Sequence, residues 1–260
     1  KFDHSSYKVS AGLHGVGVSA VNAVSSRLTV EIKRQGYTWV QHYRCGAPDA
    51  PLAQTEPTEA TGTKISFVPD TEIFSDIVFR HDLLASRLRE LAFLNSGLVI
   101  RLRDERGEDG PVEDVYEYKG GIQEFVALLS QSKEPVHQEV IAFAAEAPLA
   151  AGSGTSLALD VAMQWTGSYT EQISCYTNTI HNKDGGTHLT GLRTALTKTL
   201  NTYGQEQNLL KDVKNGLTGD DTREGLTCVI HVKHPDASFD SQTKSKLVSS
   251  EVKGIVETAV

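Results

Sequence analysis

One glycine-rich segment constrains this chain more than any other feature. Residues 10–24 read S-A-G-L-H-G-V-G-V-S-A-V-N-A-V, in which three glycines at G-x-x-G-x-G spacing run into an apolar segment of helical periodicity. Glycine has no Cβ, so the backbone of such a loop turns sharply and approaches a ligand closely. The first N–H groups of a helix are unpaired and lie at the positive end of its dipole. The segment therefore predicts a phosphate-binding loop.

Two common phosphate-binding motifs do not fit this segment. A P-loop requires Gly-Lys-Ser/Thr after its glycines, and none follows here. A dinucleotide fingerprint reads G-x-G-x-x-G after an apolar strand, whereas residues 3–8 are polar. On the motif alone, a glycine-rich surface turn remains an equal alternative.

Composition and charge limit the class of protein. The chain has 260 residues, 39% apolar and 22% charged, an ordinary mix for a globular protein. No apolar run is long enough to span a membrane and no signal peptide is present, so we expect a cytoplasmic protein without a membrane partner. The net charge of −8 argues against strong non-specific DNA binding, without excluding a local basic patch. Three widely separated cysteines fit buried free thiols in a reducing compartment better than disulfides or a metal site: Cys45, Cys175 and Cys228.

Periodicity predicts an α+β chain in two domains. Gln35-Gly36 predicts a hairpin turn, and residues 46–60, with three prolines, predict a loop. We place the domain boundary near Gly120, which gives domains of residues 1–120 and 121–260. Predicted helices begin near Gly12, Leu83, Gly121 and Gly185. Predicted strands cover residues 28–34, 37–43, 64–68, 98–102, 157–165, 172–176 and 226–232.

Several ordered segments resemble the GHKL ATPases and, within them, the gyrase B family of bacterial type II topoisomerases. Residues 7–19 resemble the ATP-lid box of that family, and the resemblance continues in the family's order through essentially the whole chain. Several motifs in a fixed order are far more specific than one glycine loop. The further segments are T-G-T at 61–63, L-A-F-L-N-S-G at 91–97, D-G-G-T-H at 184–188, T-G-D-D-T-R-E-G-L at 218–226 and S-Q-T-K-S-K-L at 241–247.

The resemblance implies a fold and an activity. The fold would be α+β, with a GHKL-type α/β sandwich, incomplete at its N-terminus, followed by a truncated, ribosomal-S5-like transducer domain. The activity would be ATP-dependent negative supercoiling of DNA by double-strand passage, in which ATP binding closes a dimeric clamp. The implied cofactors are ATP and Mg²⁺. The implied partners are double-stranded DNA, a second copy of this protein, and the gyrase A protein in a heterotetramer of two A and two B subunits.

The resemblance also assigns ATP-binding residues in the first domain. Backbone N–H groups of the glycine loop would bind the triphosphate, with Ala11 standing where the family usually has glycine. Tyr7 would contact adenosine, Lys8 a phosphate and Thr63 the adenine. The structural alternatives are a half-buried tyrosine for Tyr7, a solvated lysine for Lys8 and a β-strand threonine for Thr63. His14 fits a scaffold role better than a catalytic one. The assigned set is Tyr7, Lys8, Ala11, Gly12, Leu13, His14, Gly15, Val16, Gly17 and Thr63.

The Q-T-K segment carries the ATP assignment into the second domain. In the resemblance, Gln242 and Lys244 reach the γ-phosphate, a role suited to a point charge on a flexible stem. Lys244 would sense whether the γ-phosphate is present, and hydrolysis would release the second domain from the first. The alternative is a solvated polar loop.

Three basic residues have weaker assignments. Arg193 and Lys198 lie on a predicted helix whose basic side chains line a DNA cavity in the family, and an ordinary solvated helix face is the alternative. Arg34 resembles an arginine at the inhibitor-binding rim of the nucleotide pocket, and an edge-strand charge is its alternative.

Motifs that complete the family's active site do not occur in these 260 residues. The family's general-base glutamate, its Mg²⁺-binding asparagine and the adenine-reading aspartate of a D-x-G-x-G box all lie upstream. Asp220-Asp221 belongs to a different motif. Because the chain starts with Lys1 and stops inside an apparent helix, we expect an internal fragment. We expect no catalytic residue and no metal ligand in it, weak nucleotide binding and no hydrolysis by this piece alone.

Three other protein classes remain as alternatives. The equivalent subunit of topoisomerase IV is the nearest, although the T-G-D-D-T-R-E-G-L run favours gyrase. A mismatch-repair clamp of the MutL type is disfavoured by the Q-T-K-x-K-L run and the D-G-G-T-H segment. A nucleotide-binding module like that of sensor kinases is disfavoured by the long region after Gly120.

Overall fold

The computed structural model describes residues 16–108, 110–149 and 154–260. They form two compact units, which divide between Arg80 and His81. Within the described ranges, none of the helices has the length and apolar character needed to cross a membrane.

The first unit contains one short helix and an antiparallel sheet. The order of the paired strands is β3-β2-β1-β5, and β4 also pairs with β2. Gln35 and Gly36 connect β1 to β2 at φ values of 58° and 81°, as in a type I′ turn, so the predicted hairpin is confirmed. The elements are α1 (Gly17–Ala23), β1 (Ser25–Arg34), β2 (Tyr37–Arg44), β3 (Ala47–Pro48), β4 (Ala53–Pro57) and β5 (Gly62–Pro69).

The loop predicted over residues 46–60 is wrong in part, because β3 and β4 lie within it. Both strands pair with β2, with Pro48 opposite Tyr43 and Pro57 opposite Tyr37. Proline is tolerated at strand ends and sheet edges because its missing N–H is not needed there. The prolines therefore mark the ends of short edge strands, not the absence of strands.

One face of the first unit's sheet is apolar and partly open. Residues directly opposite each other on paired strands share a face, which places Leu28 beside Phe67 and Val30 beside Ile65. Leu28 is buried, whereas Ile65 and Phe67 are each 42% exposed. An apolar cavity of about 300 Å³ adjoins this face, lined by residues that include Val21, Val24, Phe67, Pro69, Phe74 and Phe79.

The second unit is a five-stranded mixed sheet between two layers of helices. Its strand order is β11-β10-β12-β9-β8, in which only β10 and β12 run parallel. A parallel pair needs a crossover connection, and α4 and α5 lie in it. The elements are α2 (His81–Leu94), β6 (Ile100–Asp104), β7 (Val112–Tyr116), α3 (Ile122–Ser130), β8 (Ile141–Pro148), β9 (Ser156–Trp165), β10 (Gln172–Thr177), β11 (Ile180–His181), α4 (Thr187–Glu206), α5 (Gly219–Arg223), β12 (Leu226–Lys233) and α6 (Ser250–Ala259).

The centre of this sheet is buried on both faces. Alternate residues of β12, such as Ile230, pack with Leu192 of α4 and Val252 of α6 in one cluster. Val229, the neighbour of Ile230 in β12, faces the other side of the sheet and packs with Phe93 of α2 and Phe125 of α3 in a second cluster. Burial on both faces explains why most residues of β12 are apolar and all but the last are buried.

All three cysteines lie in the described ranges and are free, so the prediction of buried free thiols is confirmed for Cys175 and Cys228, whereas the burial predicted for Cys45 is wrong. Cys45 is exposed, and Cys175 and Cys228 are buried. Burial raises the pKa of the Cys175 thiol to about 12, and it raises the pKa of Cys228 as well. Both buried thiols therefore remain protonated and serve as small apolar core residues.

The compact units divide at a different place from the predicted domain boundary. Phe93 and Leu94, at the end of α2, pack with Phe125 and Val229 beyond Gly120. Helix α2 thus belongs to the second packing unit, although it precedes the boundary drawn from the sequence. The division into residues 1–120 and 121–260 stays a prediction, because a packing unit and a domain need not coincide.

Residues 1–120 expressed alone should be poorly soluble and should lack a cooperative melt. Cutting at Gly120 would expose Phe93 and Leu94, in addition to the open face that carries Ile65 and Phe67. Thermal unfolding followed by circular dichroism checks this, with residues 81–260 as the matched piece that retains its core and melts cooperatively. A sharp melt of residues 1–120 would contradict the expectation.

Two buried histidines should make stability depend on pH. Burial lowers the pKa of His188 and of His231 from 6.5 to about 4. Below pH 6.5 the unfolded chain binds protons at both positions, whereas the folded chain does not until about pH 4. The free energy of unfolding therefore falls as the pH is lowered through this window, by about 2 kcal/mol per histidine at pH 5.

Denaturant unfolding of the wild type and of His231→Leu at pH 7 and pH 5 measures this dependence. Neither ring nitrogen of His231 has a hydrogen-bond partner among the described residues, so leucine should not lower stability at pH 7. The variant should also lose less stability on going to pH 5. If the wild type and His231→Leu lose the same free energy of unfolding between pH 7 and pH 5, the assignment to His231 is refuted.

Candidate functional site

The structure describes only the end of the predicted phosphate loop. Val16 is the N-cap residue of α1 and Gly17 is its first residue. A Cβ built on Gly17 would meet no described atom within 4 Å, so packing against the described residues does not require glycine there. The other predicted residues lie outside the described ranges, and their assignment stays a prediction: Tyr7, Lys8, Ala11, Gly12, Leu13, His14 and Gly15.

Thr63 and Arg34 lie on one face of the first unit's sheet. Thr63 on β5 is opposite Ile32 on β1, and Arg34 is two positions further along β1. Alternate residues of a strand share a face, so both side chains emerge on the same side near one end of the sheet. Both residues are exposed. This placement keeps both available for a ligand, and their roles stay predictions.

Gln242 and Lys244 lie in residues 238–249, which connect β12 to α6 and are called the lysine loop here. Gln242 is exposed and Lys244 is half-buried. The Lys244 N–H donates to the Ser241 carbonyl at 3.0 Å, which closes a tight turn. Lys244 itself has a φ of 58°, in the left-handed region that non-glycine residues seldom occupy. Its Nζ lies 5.6 Å from the centre of the Phe239 ring.

The D-G-G-T-H segment (residues 184–188) pairs with the lysine loop through the backbone. Asp184 N–H donates to the Ser245 carbonyl, Leu247 N–H to the Gly185 carbonyl and Thr187 N–H to the Leu247 carbonyl, each at 3.0 Å. These three hydrogen bonds form a short ladder between segments that are far apart in the sequence. Leu247, at the centre of the ladder, is fully buried.

Gly186 is required by this ladder. Its φ is +140°, and a Cβ at this position would lie 2.2 Å from the carbonyl oxygen of Leu247. No side chain fits in that space without displacing the backbone of the lysine loop. The sequence singled out this glycine pair only by resemblance, whereas the structure supplies a physical reason for the second glycine.

Asn182 forms a second, side-chain link to the lysine loop. Its Nδ2 donates to the Lys244 carbonyl at 2.8 Å, and its Oδ1 accepts from the Thr177 hydroxyl at 2.7 Å. The Nε2 of His188 lies 3.1 Å from the same Oδ1. Asn182, Thr177 and His188 are all buried. Since burial lowers the pKa of His188 to about 4, its imidazole is neutral at pH 7 and can donate from Nε2. Sequence reasoning missed Asn182, and no local pattern marks it.

The end of β12, just before the lysine loop, is held by Asn178 and Glu251. Asn178 accepts from the His234 N–H at 2.8 Å and donates to the His234 carbonyl at 2.6 Å. Asp236 N–H donates to His234 Nδ1 at 3.0 Å, so the ring proton is on Nε2, which donates to Glu251 Oε1 at 2.8 Å. Glu251 lies in the first turn of α6. The segment that leads into the lysine loop is therefore tied to both the sheet and the following helix.

The two residues predicted for a DNA cavity differ in their surroundings. Arg193 is half-buried and pairs with Glu171. Glu171 also accepts from Arg223 Nε at 2.8 Å, and Arg223 is bonded in turn to Asp220. Lys198 lies exposed on the same helix as Arg193. The charge of Arg193 is thus compensated within the fold, and that of Lys198 is the more accessible to a partner.

The T-G-D-D-T-R-E-G-L segment has a structural explanation. Thr218 and Asp221 form a capping box at the start of α5, in which each accepts a hydrogen bond from the other's backbone N–H. Hydrogen bonds from Thr218 lower the pKa of Asp221. Asp220 pairs with Arg223, and the expectation that neither aspartate is the catalytic acid stays a prediction.

Gly186→Ala should destabilise the second unit strongly. The added Cβ would collide with the Leu247 backbone, and the φ of Gly186 is unfavourable for alanine, so we expect a loss of about 3 kcal/mol or more. Gly254→Ala is the matched control, since a Cβ there meets no described atom within 4 Å and alanine favours the helix. Equal denaturation midpoints for the two variants would contradict the structural role of Gly186.

Comparison with known proteins identifies the family. Residues 121–260 match the family model described as DNA gyrase B. The B subunit of DNA gyrase from Streptomyces coelicolor is 46% identical over 276 aligned residues, which cover 100% of this chain and 40% of that relative. The B subunit of DNA gyrase from Bacillus mycoides is 44% identical, and the match covers 99% of this chain and 62% of that relative. The chain therefore spans only part of the relatives that it matches.

Solved structures agree with the sequence match. The 43K ATPase domain of Thermus thermophilus gyrase B, solved in complex with an aminocoumarin, has a TM-score of 0.78 and 32% identity over 95% of this chain and 64% of that chain. The topoisomerase IV ATP-binding domain of Francisella tularensis has a TM-score of 0.76 and 29% identity over 95% of this chain and 65% of that chain. The predicted fold class is confirmed. Since the family model covers more than half of its residues, the chain belongs to the DNA gyrase B family.

Proposed function

We propose that this chain is part of the ATPase subunit of a DNA gyrase, in which ATP binding closes a dimeric clamp around double-stranded DNA. Membership of the DNA gyrase B family supports the assignment of this chain to a type II topoisomerase. In this proposal the complete enzyme works in the cytoplasm with the gyrase A protein, as two A and two B subunits. It introduces negative supercoils by passing one duplex through another.

The fixed position of Lys244 is the observation that carries the proposal. Its backbone is held on one side by Ser241 and on the other by buried Asn182, so the side chain adjusts while the backbone stays in place. An ammonium group beside an exposed amide, that of Gln242, suits an anionic phosphate group. A solvated polar loop would not need a buried polar anchor beneath it.

We infer that ATP is bound by the residues that the resemblance assigns to it. The glycine loop up to Gly17 would hold the phosphates with Tyr7 and Lys8, and Thr63 would contact the adenine. Arg34, on the face that carries Thr63, would lie at the rim of the nucleotide pocket. Lys244 and Gln242 would bind the γ-phosphate, which ATP supplies and ADP lacks. Because only Lys244 and Gln242 contact the γ-phosphate in this proposal, these two residues alone would distinguish ATP from ADP.

Mg²⁺ has no assigned ligands within the described ranges. These ranges contain no cluster of three or more His, Cys, Asp or Glu side chains that fits a metal ion. The groups at the lysine loop are an ammonium and an amide, which suit an anion and not a cation. The γ-phosphate contact in this proposal is assigned to Lys244 and Gln242.

DNA contact in this proposal depends on a local basic surface. The net charge of −8 disfavours binding by the whole surface, and Arg193 is compensated by Glu171. Lys198 is the better candidate for a phosphate contact in the DNA cavity, because it is exposed on α4.

Decatenation by a topoisomerase IV is the second candidate function. The Francisella topoisomerase IV domain matches this chain nearly as well in structure as the Thermus gyrase domain, with TM-scores of 0.76 and 0.78. The DNA gyrase B family match favours supercoiling over decatenation. The same match disfavours a MutL-type clamp and a sensor-kinase module.

Lys244→Ala should abolish ATP turnover in the complete protein while ADP still binds. Only the γ-phosphate contact is removed, so the affinity for ADP should stay within about twofold. Steady-state hydrolysis and isothermal titration with ADP measure the two effects. Lys246→Ala is the matched control, because Lys246 is exposed on the same loop and its replacement removes the same charge. Turnover at the wild-type rate in Lys244→Ala would refute the proposal.

A further inference from the structure

We propose that Asn182 is a positioning residue for Lys244, and that Thr177 and His188 keep its amide in the required orientation. The inference rests on the proposed role of Lys244 at the γ-phosphate. It gives a role to each member of the polar cluster that is buried beneath the lysine loop.

The amide of Asn182 has one available orientation. Two donors, the Thr177 hydroxyl at 2.7 Å and His188 Nε2 at 3.1 Å, both point at Oδ1. A flipped amide would direct its oxygen at the Lys244 carbonyl, which can only accept, so the hydrogen bond to the lysine loop would be lost. Since Asn182 is only 2% exposed, no bulk water would replace the lost partners. Nδ2 is therefore directed at the Lys244 carbonyl, 2.8 Å away.

This contact sets the direction of the Lys244 side chain. The peptide group before Lys244 donates to Ser241, and the peptide group after it accepts from Asn182. With both flanking peptide groups held, the Cα–Cβ bond of Lys244 has a fixed direction. The φ of 58° supports the same conclusion, because a strained backbone angle at a non-glycine residue persists only where surrounding contacts impose it.

Asn182→Asp separates this role from general stability. Aspartate keeps the acceptor for Thr177 and His188 but has no donor for the Lys244 carbonyl. In the complete protein, we expect about tenfold weaker binding of a non-hydrolysable ATP analogue and unchanged binding of ADP. If Asn182 acts through Lys244, adding Asn182→Asp to Lys244→Ala should cause no further loss.

The matched control is Asn201→Asp. Asn201 is a half-buried asparagine whose Nδ2 likewise donates to a loop carbonyl, that of Leu217, at 2.9 Å. It holds a different loop of the same unit, so its loss should leave binding of the analogue unchanged. Thr177→Val is a second and milder variant. It removes one of the two donors to Asn182, and we expect a smaller loss than with Asn182→Asp.

Limited proteolysis of this chain gives a readout that needs no nucleotide. Trypsin cleavage after Lys244, quantified by mass spectrometry, should be about tenfold faster in Asn182→Asp and unchanged in Asn201→Asp. If Lys244→Ala weakens binding of the analogue but Asn182→Asp does not, or if the two losses add, the positioning role is refuted and the proposed function stands. If Lys244→Ala leaves binding unchanged, the proposed function fails and the inference fails with it.

Discussion

The three-bond ladder between the D-G-G-T-H segment and the lysine loop is the interaction on which the candidate site depends. Each bond is 3.0 Å long, and together they join residues near the start of α4 to residues that precede α6. The close approach is possible only because Gly186 has no Cβ. Without the ladder, residues 238–249 would be an ordinary polar connection, and the position of Lys244 would be undefined.

Polar groups, and not apolar packing, complete this arrangement. The core around β12 is apolar, yet Asn182, Thr177 and His188 form a buried hydrogen-bonded cluster at the end of the sheet. Buried polar groups are costly unless they are paired, so a cluster of this kind admits few alternative geometries. In the proposed function the lysine loop discriminates between two phosphate states, and such a support would limit displacements of its backbone that would move the lysine.

Local periodicity predicted most of the elements, including β12 and the hairpin at Gln35-Gly36, because these depend on neighbouring residues. It missed β3 and β4, because their proline-rich composition is typical of a loop. Both segments nevertheless form short strands by pairing with the edge of β2. It also missed Asn182 and the compensation of Arg193 by Glu171, since these contacts join residues that the fold, and not the sequence, brings together. The predicted phosphate loop before Val16 lies outside the described residues and stays a prediction.

Amide hydrogen exchange of this chain, followed by NMR, tests the central claim most directly. If the ladder anchors the lysine loop, the amides of Thr187 and Leu247 should exchange nearly as slowly as those of β12, while that of exposed Gln242 exchanges quickly. The measurement requires no nucleotide and no partner protein. Exchange of Thr187 and Leu247 at the rate of an unprotected loop would contradict the account.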